Sequence, residues 1–581
     1  MRRAALATFM ALLFASPFAE AQITLKPIGR FQSQTAGFDR GAAEIVAYDA
    51  GTRRIFVVNA QDATVDVLNA TDPANPVKVD QIDVKRLPGF DPAKLGAANS
   101  VAVRDGLVAV AIEAAPVTDR GVLAFYDAAT LKLLTTVETG ALPDAVSFSN
   151  TGHFAIVANE GEPRFANGAI VDPEGSVTIV DVRMRGGRRG FNSCTADFTA
   201  FNSRRAELLA AGVVIDPLAP SVAQDLEPEY VAAVGNNAYV TLQENNAIAV
   251  VQLNQCRVSR IMPLGFKDHG LARNSLDTSD REISSTAGKI QLRSWQNLYG
   301  LYQPDTIAAF EAPDGETYLV IANEGDVREI EGQGDNPTRP PYGARVSALV
   351  LDPAAFPPAL DVKANRNLGR LTVNASLGAK TVNGQATYDR LFVYGGRSFS
   401  IFTNDGRLVY DSGNDFESII AAKVDKGELA KWAFNATHNN NSKGAVPGES
   451  TVNATFDTRS DDKGPEPEGV VVGRVGNRTY AFIGLERIGG VMIYDVTDPG
   501  QAFYVDYVNG KDVRDFEEPV CTAVGSSGAC SSSVPNPKAG DLGPEGLVFV
   551  PAVDSPNGRP LLIVGNEISG STRIFEVVAK P

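Results

Sequence analysis

Apolar and polar residues alternate along most of this chain in short runs, and the runs come in sets. A set opens on a small residue or proline next to an acid or amide. It alternates through β-branched and apolar residues, turns, and returns on a second apolar run that closes in Asn or Glu. A third run often follows and ends in Asp, as in Ser176-Val177-Thr178-Ile179-Val180-Asp181 and Val491-Met492-Ile493-Tyr494-Asp495. A period of two belongs to strands, and no sustained helical period competes with it.

Seven sets are clear, opening at Ala43-Glu44, Ala98-Asn99, Pro143-Asp144, Pro228-Glu229, Pro304-Asp305, Pro467-Glu468 and Pro544-Glu545. An eighth, from Tyr388-Asp389 through Gly396-Arg397-Ser398, is degenerate. Radial repetition of such units predicts an all-β fold, a single β-propeller of seven or eight blades. A β-solenoid would need shorter, more uniform repeats. Outer strands such as Val77-Lys78-Val79-Asp80-Gln81-Ile82 complete a blade, and Ile23 to Phe31 is expected to close the ring as the outer strand of the last one. Long polar stretches near 184–226, 266–300, 328–345, 425–464 and 510–540 read as loop insertions within a single domain over 22–581.

The alternation places an acid at the start of each first strand and a polar residue at the end of the second. In an antiparallel hairpin those positions are neighbours. The pairs are Glu44 with Asn59, Asn99 with Glu113, Asp144 with Glu160, Glu229 with Glu244, Asp305 with Glu324, Glu468 with Glu486, and Glu545 with Glu567. First strands line a propeller's channel, so the acids should crowd one face around the axis. Crowded carboxylates either take up protons or bind a cation. An all-oxygen set suits calcium first, with magnesium or manganese behind it. The plainer alternative is that each acid bonds backbone amides of the next blade.

Arg487 and Arg397 fall near the same face and could clamp an anionic oxygen group such as phosphate, or serve as ion-pair partners. His269, in Lys267-Asp268-His269, offers a general acid or base, although a lone His is more often a packing residue. The acidic stretches Asp277 to Asp280 and Asp457 to Lys463 are further candidates, the second expected at the ring face because it leads into Glu466 and Glu468. With His153, His269 and His438 the only imidazoles, a His-rich zinc centre is excluded. No G-x-S-x-G elbow, phosphate-binding P-loop or H-E-x-x-H helix is present.

Composition narrows the partners. A net charge of −16 argues against nucleic acid and anionic membranes and leaves cations as natural partners. The arginines near the acids add a small anionic substrate such as a phosphate ester, and a non-catalytic role would put an extracellular ligand in its place. Met1-Arg2-Arg3, an apolar run to about Phe18 and Ala19-Glu20-Ala21 form a cleavable secretory signal over residues 1–21. No other apolar run approaches a membrane span, so a monomer outside the cytoplasm is expected. Four cysteines in an exported chain suit two disulfides: Cys521 with Cys530 across a Gly/Ser-rich loop, and Cys194 with Cys256.

Several phrases are long enough to identify a family: Gly41-Ala42-Ala43-Glu44, Gln224-Asp225-Leu226-Glu227-Pro228-Glu229, Leu242-Gln243-Glu244-Asn245-Asn246, Pro263-Leu264-Gly265-Phe266-Lys267-Asp268-His269, Arg397-Ser398-Phe399-Ser400-Ile401 and the run from Arg459 to Gly469. They resemble the secreted propellers of the choice-of-anchor I family over nearly the whole mature chain. Members often carry a C-terminal anchor segment. None is visible here, so free periplasmic or secreted residence is expected. Some relatives are labelled alkaline phosphatase, and acid-lined propellers such as calcium-dependent phytases hydrolyse phosphate esters, a likeness at the level of fold. The first functional expectation is therefore a metal-dependent phosphoester hydrolase. The alternative is a non-catalytic, calcium-stabilised binding propeller of the envelope or extracellular space. A lactonase-type enzyme is a third.

Overall fold

The computed structural model describes residues 22–33, 40–284, 287–330, 332, 342–430, 433–437, 456–509, 520–524, 530–534 and 540–580. The fold is all-β. Among the described residues, seven four-stranded antiparallel sheets recur, joined by one five-stranded mixed sheet and several two-stranded ribbons. Their first strands are Val46–Asp49, Leu95–Arg104, Pro143–Phe148, Pro228–Val234, Ile307–Glu311, Pro467–Val475 and Pro544–Val550. Each begins within three residues of one of the seven openings read from the sequence. The first strands touch in chain order, and Pro544–Val550 also touches Val46–Asp49.

The N-terminal strand Ile23–Gln32 pairs with Ser571–Ala579 as the outermost strand of the last sheet, as the sequence predicts. The degenerate set resolves differently. Ser398–Thr403 pairs with Thr317–Asn323 as the third strand of the fifth sheet. Leu391–Val393 joins the five-stranded sheet with Phe266–Asp268, Leu298–Leu301, Thr372–Asn374 and Gly343–Arg345. A long insertion thus separates two strands that pair directly.

Among the described residues the core is not one body: seven layers lie each between neighbouring four-stranded sheets, and a separate cluster that includes Trp295, Leu298, Leu368, Val373 and Leu391 packs the insertion around the five-stranded sheet. On the strand Arg54–Asn59, Phe56 and Val58 pack towards the second sheet. Ile55 and Val57 pack towards the seventh. Second strands are therefore buried on both faces and read as almost continuous apolar runs. The remaining layers join second to third, third to fourth, fourth to fifth, fifth to sixth and sixth to seventh sheets. The helix Asp415–Asp425 seats Phe416 against Phe399 and Tyr494 on the layer between the fifth and sixth.

Cys194 and Cys256 form the expected disulfide, with Cα atoms 6.3 Å apart. Cys194 lies on Asn192–Asp197, the outer strand of the third sheet, inside a stretch whose composition reads as loop. Cys521 and Cys530 lie on the paired strands Val520–Val524 and Cys530–Val534, and their side chains fall outside the described residues, as does the secretory signal. No helix of the described residues is long and apolar enough to cross a membrane.

Candidate metal centre

Two backbone devices aim the acids. The residue before the opening proline adopts a left-handed conformation in four sheets: Leu142 (φ 47°), Gln303 (φ 47°), Glu466 (φ 49°) and Gly543 (φ 69°). For the three non-glycines this is an uncommon conformation that the surroundings must enforce. Its carbonyl accepts the N–H of the acid ending the second strand, at 2.8 Å, from Glu160 to Leu142, Glu486 to Glu466 and Glu567 to Gly543. The register then shifts just past the proline, between Pro143 and Val146, Pro228 and Val231, Pro467 and Val470, and Pro544 and Leu547. Asp144, Glu229, Glu468 and Glu545 sit inside those irregularities. A bulge re-aims a side chain, here out of the apolar layers and towards the axis.

Neighbouring acid ends press together. A Cβ on Gly469 would lie 2.1 Å from the Glu545 carbonyl oxygen, and one on Gly546 would lie 2.7 Å from that of Glu44. Only glycine fits after those two acids, which explains the repeated Pro-Glu-Gly.

The acids feel one another across the ring. Burial first, then the carboxylate ending the adjacent second strand (Glu567, Glu244 or Glu324), then more distant acids that include Asp144, push up the protonation of Glu44, Glu229, Asp305 and Glu545, which belong to four different sheets. Glu160 and Glu468 are raised in the same way, and Asp144 and Glu244 are each raised to about 7, with burial the leading cause. One carboxylate oxygen on each of Glu229, Glu244, Asp305, Glu468 and Glu545 is enclosed by protein and has no hydrogen-bond partner. The sequence expectation of backbone amides as partners does not account for those five oxygens.

Part of the ring is compensated instead. Glu324, Glu466 and Glu486 each bring a carboxylate oxygen within 4.8 Å of the others. Lys463 Nζ lies 2.7 Å from Glu324 and 3.2 Å from Glu466, Arg459 lies 2.5 Å from Glu466, and Arg487 lies 3.1 Å from Glu466 and 3.0 Å from Glu486. Burial alone would raise Glu466, but Arg459, Lys463 and Arg487 hold it far below the usual carboxylate range.

The residues expected to do chemistry are placed as follows. Arg487 is in that knot. Arg397 is buried, and its guanidinium donates to Glu417 at 2.9 Å and to the carbonyls of Asp277, Ser460 and Asp462 at 2.6, 2.9 and 2.6 Å. His269 is buried with Nδ1 2.6 Å from the Asn274 carbonyl, and burial, then Lys267, lowers it to about 3. At neutral pH this imidazole is uncharged. Asp277 and Asp457 lie together beside Arg397 and Glu417, while Arg459 and Lys463 of the same stretch reach the ring.

Sequence reasoning gave no role to Glu466, Glu227 or Arg328, and took Arg459 and Lys463 only as part of the acidic stretch Asp457 to Lys463. Arg328 donates to Glu227 at 2.6 Å and borders, with Glu244, Gln303, Asp326 and Tyr342, a small cleft. The phrase Glu466-Pro467-Glu468, two acids flanking the opening proline, was the available signal, and Glu227-Pro228-Glu229 repeats it.

A family model for the choice-of-anchor I domain matches residues 44–499. Gigasin-3a of Magallana gigas is 30% identical over 213 residues, 36% of this chain and 64% of that protein. The mesenchyme-specific cell surface glycoprotein of Strongylocentrotus purpuratus is 26% identical over 258 residues, 42% of this chain and 31% of that protein. The chain therefore matches less than two thirds of the length of either relative. Among solved structures, hydrazine synthase of Kuenenia stuttgartiensis superposes with a TM-score of 0.40 and 11% identity, covering 95% of this chain and 99% of that one. The WD40 repeats of RRP9 give 0.41 and 8%, covering 96% and 100%. Both scores are low, and the sheet layout rests on the strand pairings above.

Proposed function

The chain belongs to the choice-of-anchor I family, and on that premise we propose that it is an exported, non-catalytic β-propeller of seven blades whose axial carboxylates hold a divalent cation. Seven blades are favoured over eight by the seven four-stranded sheets, by their cyclic contacts, and by the absorption of the degenerate set into the fifth. Calcium is the favoured ion, because the donors are all oxygen and come from several separate strands, a setting that suits its flexible coordination better than the octahedron magnesium demands. The ion would rigidify the acidic face, and that face, with the cleft beside Glu244 and Arg328, would present the binding surface for an extracellular ligand. An extracellular or surface setting accords with the family and with the cell-surface relative.

One observation carries the reading: the five enclosed carboxylate oxygens with no partner. An enclosed carboxylate without a hydrogen bond must be neutralised by a proton or a cation. The phosphoester-hydrolase expectation loses its support in the same side chains. Both arginines meant for phosphate are tied to carboxylates and carbonyls, and His269 is a buried neutral packing residue. The test is a pair of measurements on mature protein stripped with chelator. Calcium should raise the melting temperature, while p-nitrophenyl phosphate and its bis ester stay intact with calcium, magnesium or manganese. Metal-dependent turnover lost in Glu468→Gln would reverse the assignment.

A further inference from the structure

A second set of acids lies outside the axial ring. Asp277 and Asp457 are fully buried and Glu282 half-buried, and each offers one carboxylate oxygen within 4.8 Å of the others. They come from two segments far apart in sequence, on either side of the helix Asp415–Asp425. Arg397 and Glu417 join the same segments: Arg397 donates to the carbonyls of Asp277, Ser460 and Asp462, and Glu417 accepts from Arg397 at 2.9 Å and Asn435 at 2.6 Å.

Neighbouring carboxylates have their own cations. Arg370 reaches Asp280 at 2.7 Å and Asp461 at 2.6 Å. The trio has no such salt bridge among the described residues. Asp277 accepts the Gln291 N–H at 2.5 Å, and Asp457 Oδ1 accepts from Ser460 Oγ at 2.5 Å. Asp457 Oδ2 is enclosed and has no hydrogen-bond partner. Bare backbone approaches that oxygen at Gly288, where a Cβ would lie 2.1 Å away. The charges that act on Asp457 are those of Asp277, Glu282 and Asp280, none of them an axial acid.

We propose that Asp277, Glu282 and Asp457 form a second divalent-cation site, selective for calcium, that clips the 276–293 and 456–463 segments together. Oxygen-only donors carried on loops match calcium's coordination habits. A proton shared between Asp277 and Glu282 is the competing way to relieve the same repulsion. The proposal does not depend on the axial reading.

The experiment counts calcium ions bound per chain, by equilibrium dialysis of stripped mature protein against radiolabelled calcium. Wild type is compared with Asp457→Asn, Glu282→Gln and the axial variant Glu468→Gln. Both trio variants should bind one ion fewer than wild type while keeping whatever Glu468→Gln loses. In chelator they should melt no lower than wild type, since removing a carboxylate from the trio relieves repulsion, so loss of the ion is not loss of the fold. Full wild-type stoichiometry in both trio variants would overturn the site and leave the shared proton. If Glu468→Gln loses nothing while the trio variants lose one ion, the trio stands and the axial reading falls.

Discussion

Glu466 and Glu468 flank one proline, two residues apart, and live in opposite electrostatic states. Glu466 is wholly buried yet keeps its charge, because Arg459, Lys463 and Arg487 surround it. Glu468 is less buried, yet burial and the carboxylates of Glu486, Glu545 and Glu567 push its protonation well up. Depth does not separate them. The number of cations within reach does, and two of those three cations arrive on the 456–464 segment, which no other sheet has. A family scaffold that repeats its acids has thus gathered three protein cations in one sector, set Arg328 beside Glu227 in another, and left the remaining acids for a proton or a metal.

The comparison can be broken most forcefully at Glu466. Glu466→Ala would leave the buried Lys463 and the half-buried Arg459 and Arg487 one partner short, and denaturant unfolding should show a loss of about 3–5 kcal/mol. Glu468→Gln in chelator should cost nothing or stabilise slightly, because it removes repulsion. Equal losses in the two would erase the distinction. Next in size is the ion itself. Calcium at about 100 times its dissociation constant should stabilise wild type by about 2.7 kcal/mol, read as a rise in melting temperature.

The third test is pH. Glu44, Asp144, Glu160, Glu229, Glu244, Asp305, Glu468 and Glu545 have raised folded pKa values, so the folded state holds protons that the unfolded chain releases. Their contribution is present at low pH and is lost as pH rises from the ordinary carboxylate range through about 7, the value for Asp144 and Glu244. Glu466 has the opposite sign: its contribution is present above the ordinary carboxylate range and is lost only in strong acid. Stripped protein should therefore lose at least about 1.4 kcal/mol across the rising window, one pKa unit at one carboxylate, and calcium should abolish that loss. The smallest effect is the control. Arg120 and Glu138 pair across exposed strand positions, with side chains 65% and 66% accessible, and Glu138→Ala should change stability by less than about 1 kcal/mol.

Much of this was legible in the residues because the information is local. Period-two alternation and the recurring opening, a small residue or proline before an acid or amide, mark the first strand of each four-stranded sheet, and hairpin geometry pairs Asp144 with Glu160 or Glu545 with Glu567. What was hidden depends on distant partners. Arg397 lies beside the expected face, but its role is set by carbonyls at 277, 460 and 462. The left-handed turn at Glu466, which holds that acid among its cations, has no residue-type signature, since leucine and glutamine occupy the same place elsewhere. The polar strand Asn192–Asp197 carries no apolar alternation because its side chains are mostly exposed at the sheet's outer edge.

The most direct test of the account is calorimetric titration of calcium into stripped mature protein at neutral pH, repeated for Glu468→Gln and Glu545→Gln. The account predicts binding accompanied by proton release, since the axial acids give up protons as the ion enters, and a loss of affinity in both variants. No heat, no proton release and no change in melting temperature would mean that the ring is satisfied by protons alone, and the claim of an axial cation would be wrong.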